Sequence, residues 1–258
     1  MAEDDSYQRS LDKNPISILM ALPDRDFDPT ESSTPWKVCK ERGWNLHFST
    51  EKGAVAGADH RLLMGPIRGP LGAGKRALEW YMLMSQDDAY LHPIPYADID
   101  PMKFDGLVLP GGHAPGMRQY LESQELQGKT LDFLEEGKVI GAICHGVLVL
   151  ARTIDPETGQ SILHGRKVTA LTKSLERTGY FLTFWFLGRR YRTYSCYVAD
   201  EVRGCLARPE DFSSGRSMWI PHVVRDGNLI TSRWPWDASM FAEEFANAIA
   251  RPVTPKSD

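Results

Sequence analysis

Lys138-Val-Ile-Gly-Ala-Ile-Cys144-His-Gly-Val-Leu-Val-Leu-Ala-Arg152 is the stretch that decides the fold. Val139, Ile140 and Ile143 are β-branched and run up to Cys144; Gly146 follows, and Val147 to Ala151 continue as an apolar, helix-like segment. This is the pattern of a strand that enters a sharp turn and leaves as a helix. It resembles a nucleophile elbow, in which a strained turn lifts a reactive atom above a sheet and onto a helix N-terminus. Partial positive charge and free N–H groups at that end favour a thiolate, so a partly ionised Cys144 is expected. A cysteine inside an apolar run also reads as a small core hydrophobe. What separates the two readings is the sequence upstream.

Working outward, Ile16 to Leu22 reads as a buried first strand, since parallel strands covered on both faces look like continuous apolar runs. A helix is expected from Ser33 or Thr34 to Arg42, with Pro35 in its first turn. Asn45 to Ser49 is a second strand, Gly53 to Gly74 a Gly- and Pro-rich loop region, and Lys75 to Met84 an amphipathic helix. Phe104 to Leu109 is another buried strand, running into Pro110-Gly111-Gly112-His113 and helices near 117–122 and 126–136. Lys167 to Leu171 is expected as a strand, Val223 to Thr231 as a hairpin turning at Asp226-Gly227, and Ala238 to Ala250 as a closing helix. Strands alternating with helices imply a single α/β domain over 15–252 with a mainly parallel sheet. Residues 176–220, aromatic and basic, break the rhythm and read as a cap or insertion; 1–14 and 253–258 read as a loose N-terminal segment and a C-terminal tail.

Composition narrows the function classes. The chain has 258 residues, 42% hydrophobic and 25% charged, with a net charge of −4, so a nucleic-acid partner is not expected. No apolar run is long enough for a bilayer, and the start lacks the form of a signal peptide. Cys39, Cys144, Cys196 and Cys205 form no CxxC pair, which suits a reducing cytoplasm. Histidines show no metal-ligand spacing, and Gly72-Ala-Gly74-Lys75 lacks the full phosphate-loop spacing, so no cofactor, metal or nucleotide is expected. The expected partner is a small-molecule substrate.

Four motifs occur in order: Asp28-Pro-Thr-Glu31-Ser-Ser-Thr-Pro-Trp36, Val108-Leu-Pro-Gly-Gly-His113, Ala142-Ile-Cys-His-Gly146 and Asp226-Gly-Asn-Leu-Ile-Thr231. Together they resemble the ThiJ/PfpI superfamily over roughly residues 16–250, nearest its chaperone and glyoxalase-like branch. The resemblance implies a flavodoxin-like three-layer α/β/α sandwich like the class I glutamine amidotransferases, with a cysteine elbow, and a homodimer. It implies Cys144 as nucleophile and Glu31, on the loop after the first strand, as a protonated carboxyl that donates to the sulfur and shuttles a proton. Like charges at close range push one pKa upward, which is why that carboxyl should be neutral. Gly112 and His145 N–H groups would form an oxyanion hole. His145 is a catalytic candidate, but the branch's triad acid falls on Lys173 here, and Glu176 could replace it only with a shifted backbone.

Gly111, His113, Trp234 and Trp236 are candidate pocket residues. Asp24, Asp26 and Asp28 read as a solvated acidic turn, and Arg189-Arg190-Tyr-Arg192 as a charged helix face. The implied function is a cysteine-dependent hydratase, hydrolase or lyase of glyoxalase or deglycase type. Alternatives are a non-catalytic oxidative-stress sensor or holdase, and an isonitrile hydratase or an amidase or glutaminase-like enzyme.

Overall fold

A computed structural model describes residues 15–64 and 72–250. The segments 1–14 and 253–258 lie outside the described residues. The fully buried run Ile18–Ala21 makes the core of β1 (Ser17–Ala21), which is followed by β2 (Arg25–Phe27) and helix α1 (Pro29–Glu41). Next come β3 (Asn45–Thr50), β4 (Gly57–Ala58), α2 (His60–Met64), α3 (Lys75–Met84), α4 (Asp88–Leu91) and β5 (Ile94–Pro95). The centre of the chain supplies β6 (Gly106–Leu109), α5 (Met117–Leu121), α6 (Gln124–Glu135), β7 (Val139–Ile143) and α7 (Val147–Arg152). The last third holds α8 (Lys173–Leu187), α9 (Val198–Cys205), β8 (Val223–Asp226), β9 (Leu229–Ser232) and α10 (Ala238–Ala250).

Seven strands form one sheet in the order β5-β3-β1-β6-β7-β9-β8. Every pairing is parallel except the β8–β9 hairpin. Helices α1 and α10 pack together with α10 against β7, while α6 and α9 pack on α7. The result is a flavodoxin-like α/β/α sandwich. Gly141 lets α10 approach closely, because a Cβ there would stand 2.7 Å from the Phe245 ring.

The topology fixes where a ligand can bind. From β1 the chain steps to β3 and β5 on one side, then returns to β6 on the other. The loops after β1 and β6 therefore part, leaving a crevice at the strands' C-terminal ends where open α/β sheets bind ligands.

The structure corrects several expectations. Helix α1 begins at Pro29, four residues before Ser33, because Asp28 caps it and Pro29 suits the first turn; Pro35 lies inside the helix. Residues 167–171 are not a strand: hairpin strand β9 takes the place beside β7, and Val168 keeps only an isolated bridge to Phe212. The expected loop from Gly53 to Gly74 contains β4 and α2, with 65–71 outside the described residues. Arg189 to Arg192 follow the end of α8 at Gly188 and lie in a turn, not on a helix face.

One buried ion pair shapes the crevice wall. Arg233, just past β9, is 1% exposed and donates to Asp237 from Nε at 2.8 Å and Nη2 at 3.0 Å. Its remaining N–H groups reach the carbonyls of Ser214, Ser217 and Ile220, so the guanidinium holds the 214–220 loop against the sheet. Removing one partner of such a pair leaves the other charge buried and uncompensated. Asp237→Asn is expected to lower unfolding stability by about 3–5 kcal/mol in urea titrations; a loss within experimental error would show that the carbonyls alone satisfy Arg233.

Candidate active site

The elbow forms as the sequence predicts. β7 ends at Ile143, residues 144–146 make one tight turn, and α7 departs at Val147. Cys144 has φ of 59°, a left-handed conformation that costs a non-glycine residue about 1–3 kcal/mol. Gly146 makes the turn sterically possible, since a Cβ there would fall 2.1 Å from the Leu109 carbonyl oxygen. The sulfur is carried to the C-terminal end of β7, beside the loop after β6, and Cys144 is completely buried.

Glu31 reaches the same point from the first turn of α1, not from a loop. Its Oε2 accepts a hydrogen bond from Gly111 N–H at 2.8 Å. A Cβ on Gly111 would meet that oxygen, Cys144 Cβ and His145 N within 2.8 Å, so the loop after β6 closes on the acid only because residue 111 has no side chain. Glu31 lies close enough to Cys144 to raise the pKa of its thiol. Glu31 Oε1 is buried with no hydrogen-bond partner among the described residues. Burial, with Asp28 nearby, pushes the Glu31 carboxyl well above the usual range. A neutral carboxyl whose Oε2 accepts from Gly111 carries its proton on Oε1.

Two imidazoles complete the cluster. His145 Nδ1 lies 3.6 Å from Cys144 Sγ, and His113 Nε2 lies 3.9 Å from it. The rings meet edge to face with centroids 4.7 Å apart. Burial drives both pKa values down, His113 to about 4 and His145 well below its ordinary value, so both are neutral at pH 7. His113 is anchored from the cap: its carbonyl accepts from the Thr193 hydroxyl at 2.7 Å, and its ring faces Tyr191, whose hydroxyl donates to Asp59 at 2.6 Å. Among the described residues no carboxylate hydrogen-bonds to His145. Lys173 pairs instead with Asp200 at 2.8 Å, and Glu176 accepts from Val198 N–H at 3.0 Å.

Burial, Glu31 and Asp28 push the Cys144 thiol well above its usual range, against the lowering effect of His145 N–H. In place of the expected partial ionisation, Cys144 rests as a neutral thiol beside neutral Glu31, His145 and His113. Asp28 is likewise no solvated turn residue. It is 4% exposed, caps α1 through Thr30 and Glu31 N–H groups at 2.7 and 3.2 Å, and burial moves it to about 6. Asp26, at φ of 75°, accepts from Gly116 N–H at 2.9 Å.

Beside the cluster lies a cavity of about 420 Å³ lined by Leu171, Leu175, Leu182, Met218, Trp219 and Trp234, with Trp236, Asp28 and His113 also on its wall. Trp234 and Trp236 stack at 5.4 Å, and Trp219 meets Trp236 edge-on at 5.4 Å. His113 is common to the cavity wall and to the surroundings of the sulfur. Gly112 packs toward Asp26 and Met117, while the Gly111 N–H is the one engaged at the acid. The sequence reading missed Asp28 and the cap residues on the cavity wall. A capping signal, Asp followed by Pro and then Glu at the third helical position, was there to be read for Asp28.

Asp28→Asn keeps an amide oxygen to cap α1 and removes a negative charge that penalises the thiolate. Titration of the ultraviolet thiolate absorbance should then show the Cys144 pKa moved downward, with faster alkylation at neutral pH. An unchanged or raised pKa would mean that Asp28 carries no charge near the sulfur.

No helix among the described residues is long and apolar enough to cross a membrane. The chain is 23% identical over 224 residues to Glyoxalase 3 of Candida albicans, covering 83% of this chain and 85% of that one. It is 27% identical over 234 residues to the glutathione-independent glyoxalase hsp3102 of Schizosaccharomyces pombe, covering 85% and 87%. Against an uncharacterized protein of Schizosaccharomyces pombe the match is 28% over 145 residues and spans about half of each chain, 53% and 54%. The solved structure of glyoxalase III from Candida albicans superposes with a TM-score of 0.68 at 20% identity, over 90% of this chain and 97% of that one. Residues 22–214 match the family described as ThiJ/PfpI family-like, and the chain belongs to that family.

Proposed function

We propose that the protein is a cysteine-dependent enzyme of the glyoxalase type that converts an α-oxoaldehyde carrying a bulky apolar substituent into a 2-hydroxy acid. The observation that carries this reading is the neutral Glu31 carboxyl, held by Gly111 N–H beside the Cys144 thiol. The likeness to glyoxalases over more than four-fifths of the chain supports it.

Each residue has a step suited to its state. His145, a neutral base at 3.6 Å, takes the thiol proton as Sγ adds to the aldehyde carbon. Glu31 gives its proton to the aldehyde oxygen, which yields a hemithioacetal and a carboxylate. That carboxylate then carries a proton from the aldehyde carbon to the neighbouring carbon, and the hydroxyl proton shifts between the two oxygens, leaving a 2-hydroxyacyl thioester. Water cleaves the thioester, and the protons return to Cys144 and Glu31. One water is consumed per turnover, and no glutathione enters. In this reading the N–H groups of Gly112 and His145 receive the developing oxyanion. His145 acts here without a triad acid, so the proton shuttle rests on Glu31.

The sensor alternative fares worse on physical grounds. Oxidation follows thiolate character and exposure, and Cys144 has neither at rest.

The cavity's size and aromatic wall favour a substituent larger than methyl. Initial-rate assays should give kcat/KM for phenylglyoxal above that for methylglyoxal by about tenfold or more, the scale on which filling a hydrophobic pocket discriminates. Cys144→Ser should abolish turnover of both, and Glu31→Gln should cut kcat by about 10²–10⁴-fold, as for a lost proton shuttle. Turnover that survives Cys144→Ser would end the covalent reading, and equal use of both substrates would end the apolar specificity.

A further inference from the structure

Two imidazoles converge on one sulfur at the elbow, which is more than hydrogen bonding requires. A thiol has a single proton and can serve one acceptor. Yet His145 Nδ1 stands 3.6 Å and His113 Nε2 3.9 Å from Sγ, and donor atoms of the three residues all lie within 4.8 Å of one another. In a tetrahedral site with Zn–S of about 2.3 Å and Zn–N of about 2.0–2.1 Å, sulfur and nitrogen are about 3.5 Å apart. The two sulfur–nitrogen separations depart from that by only a few tenths of an ångström, and the two nitrogens close by about an ångström or more onto a bound ion. The backbone keeps the donors in place: Cys144 is fixed in the strained elbow, and the His113 carbonyl is tied to Thr193.

We propose that Cys144, His145 and His113 form a binding site for zinc or a similar thiophilic divalent cation, and that the bound metal reversibly silences the thiol. This rests on the reading above only in taking Cys144 as the reacting group. One thiolate and two imidazoles are a donor set zinc accepts, with a fourth position left for water or an anion. Binding breaks the S–H bond, forms an S–Zn bond from the sulfur's electron pair and releases one proton to solvent. His145 gives its Nδ1 lone pair with its proton on Nε2, His113 gives Nε2 with its proton on Nδ1, and nothing is oxidised or reduced. His113 also lines the cavity beside the cluster.

Titration of the full chain with Co²⁺, followed by displacement with Zn²⁺, tests the site. The expected result is one Co²⁺ per chain, a thiolate-to-metal charge-transfer band, one proton released per metal, and loss of the band on adding Zn²⁺. Cys144→Ser should abolish the band. His113→Gln should weaken affinity by more than about tenfold, the loss that even a residue outside the ligand sphere can cause. Thermal melting of each variant separates lost ligation from lost fold. Turnover should fall with Zn²⁺ and return with a chelator. A band that persists in Cys144→Ser, a spectrum with no thiolate band, or unchanged affinity in folded His113→Gln would overturn the proposal. If the metal-free protein turns over no oxoaldehyde, the glyoxalase reading fails while the Co²⁺ spectrum still decides the metal site.

Discussion

The hydrogen bond from Gly111 N–H to Glu31 Oε2 joins the parts on which everything else at this site depends. It ties the first turn of α1 to the loop leaving β6, and it does so across the crevice opened by the sheet's change of direction. Because residue 111 has no side chain, the loop, the acid and the elbow can share a space that one methyl group would close. Burial, with Asp28 nearby, keeps the acid protonated against the lowering effect of the Gly111 N–H.

The electrostatics follow from that arrangement. Cys144, Glu31, His145 and His113 are each uncharged at rest, so the fold carries them in a buried crevice without an unpaired ion. What it carries instead is backbone strain, at Cys144 and again at Asp26, both in the left-handed region. The fully buried parallel strand β7 leads straight into the strained Cys144. Reactivity is thereby conditional. In the proposed reaction the thiol ionises only as His145 takes its proton and Sγ adds to the aldehyde carbon.

The elbow was legible because its signal is local: β-branched residues, then Cys144, then Gly146, then an apolar helix, each matching a backbone need. Glu31 could be placed by motif order, but the sequence reading rests its neutrality on repulsion by a thiolate, whereas burial, with Asp28 second, is what raises its carboxyl. The start of α1 was misread because both Pro29 and Pro35 suit a first turn, and the choice was made by the Asp28 cap, which a count of acidic residues makes look solvated. Lys167 to Leu171 has strand-like composition, but its place beside β7 is taken by β9, a competition that composition does not reveal. The neutral thiol was missed because the burial of Cys144 and the nearness of Asp28 are tertiary facts. His113 is similar: the sequence puts it after two glycines, while Thr193 and Tyr191, some eighty residues on, decide where it points.

The stacked indoles of Trp234 and Trp236, with Trp219 against them, give the cavity an optical property as well as a chemical one. Rings this close share their excited states, and a conjugated carbonyl compound lodged among them would accept that excitation. The wall thus reports its own occupancy in the emission of the unlabelled chain, under the conditions in which turnover is followed.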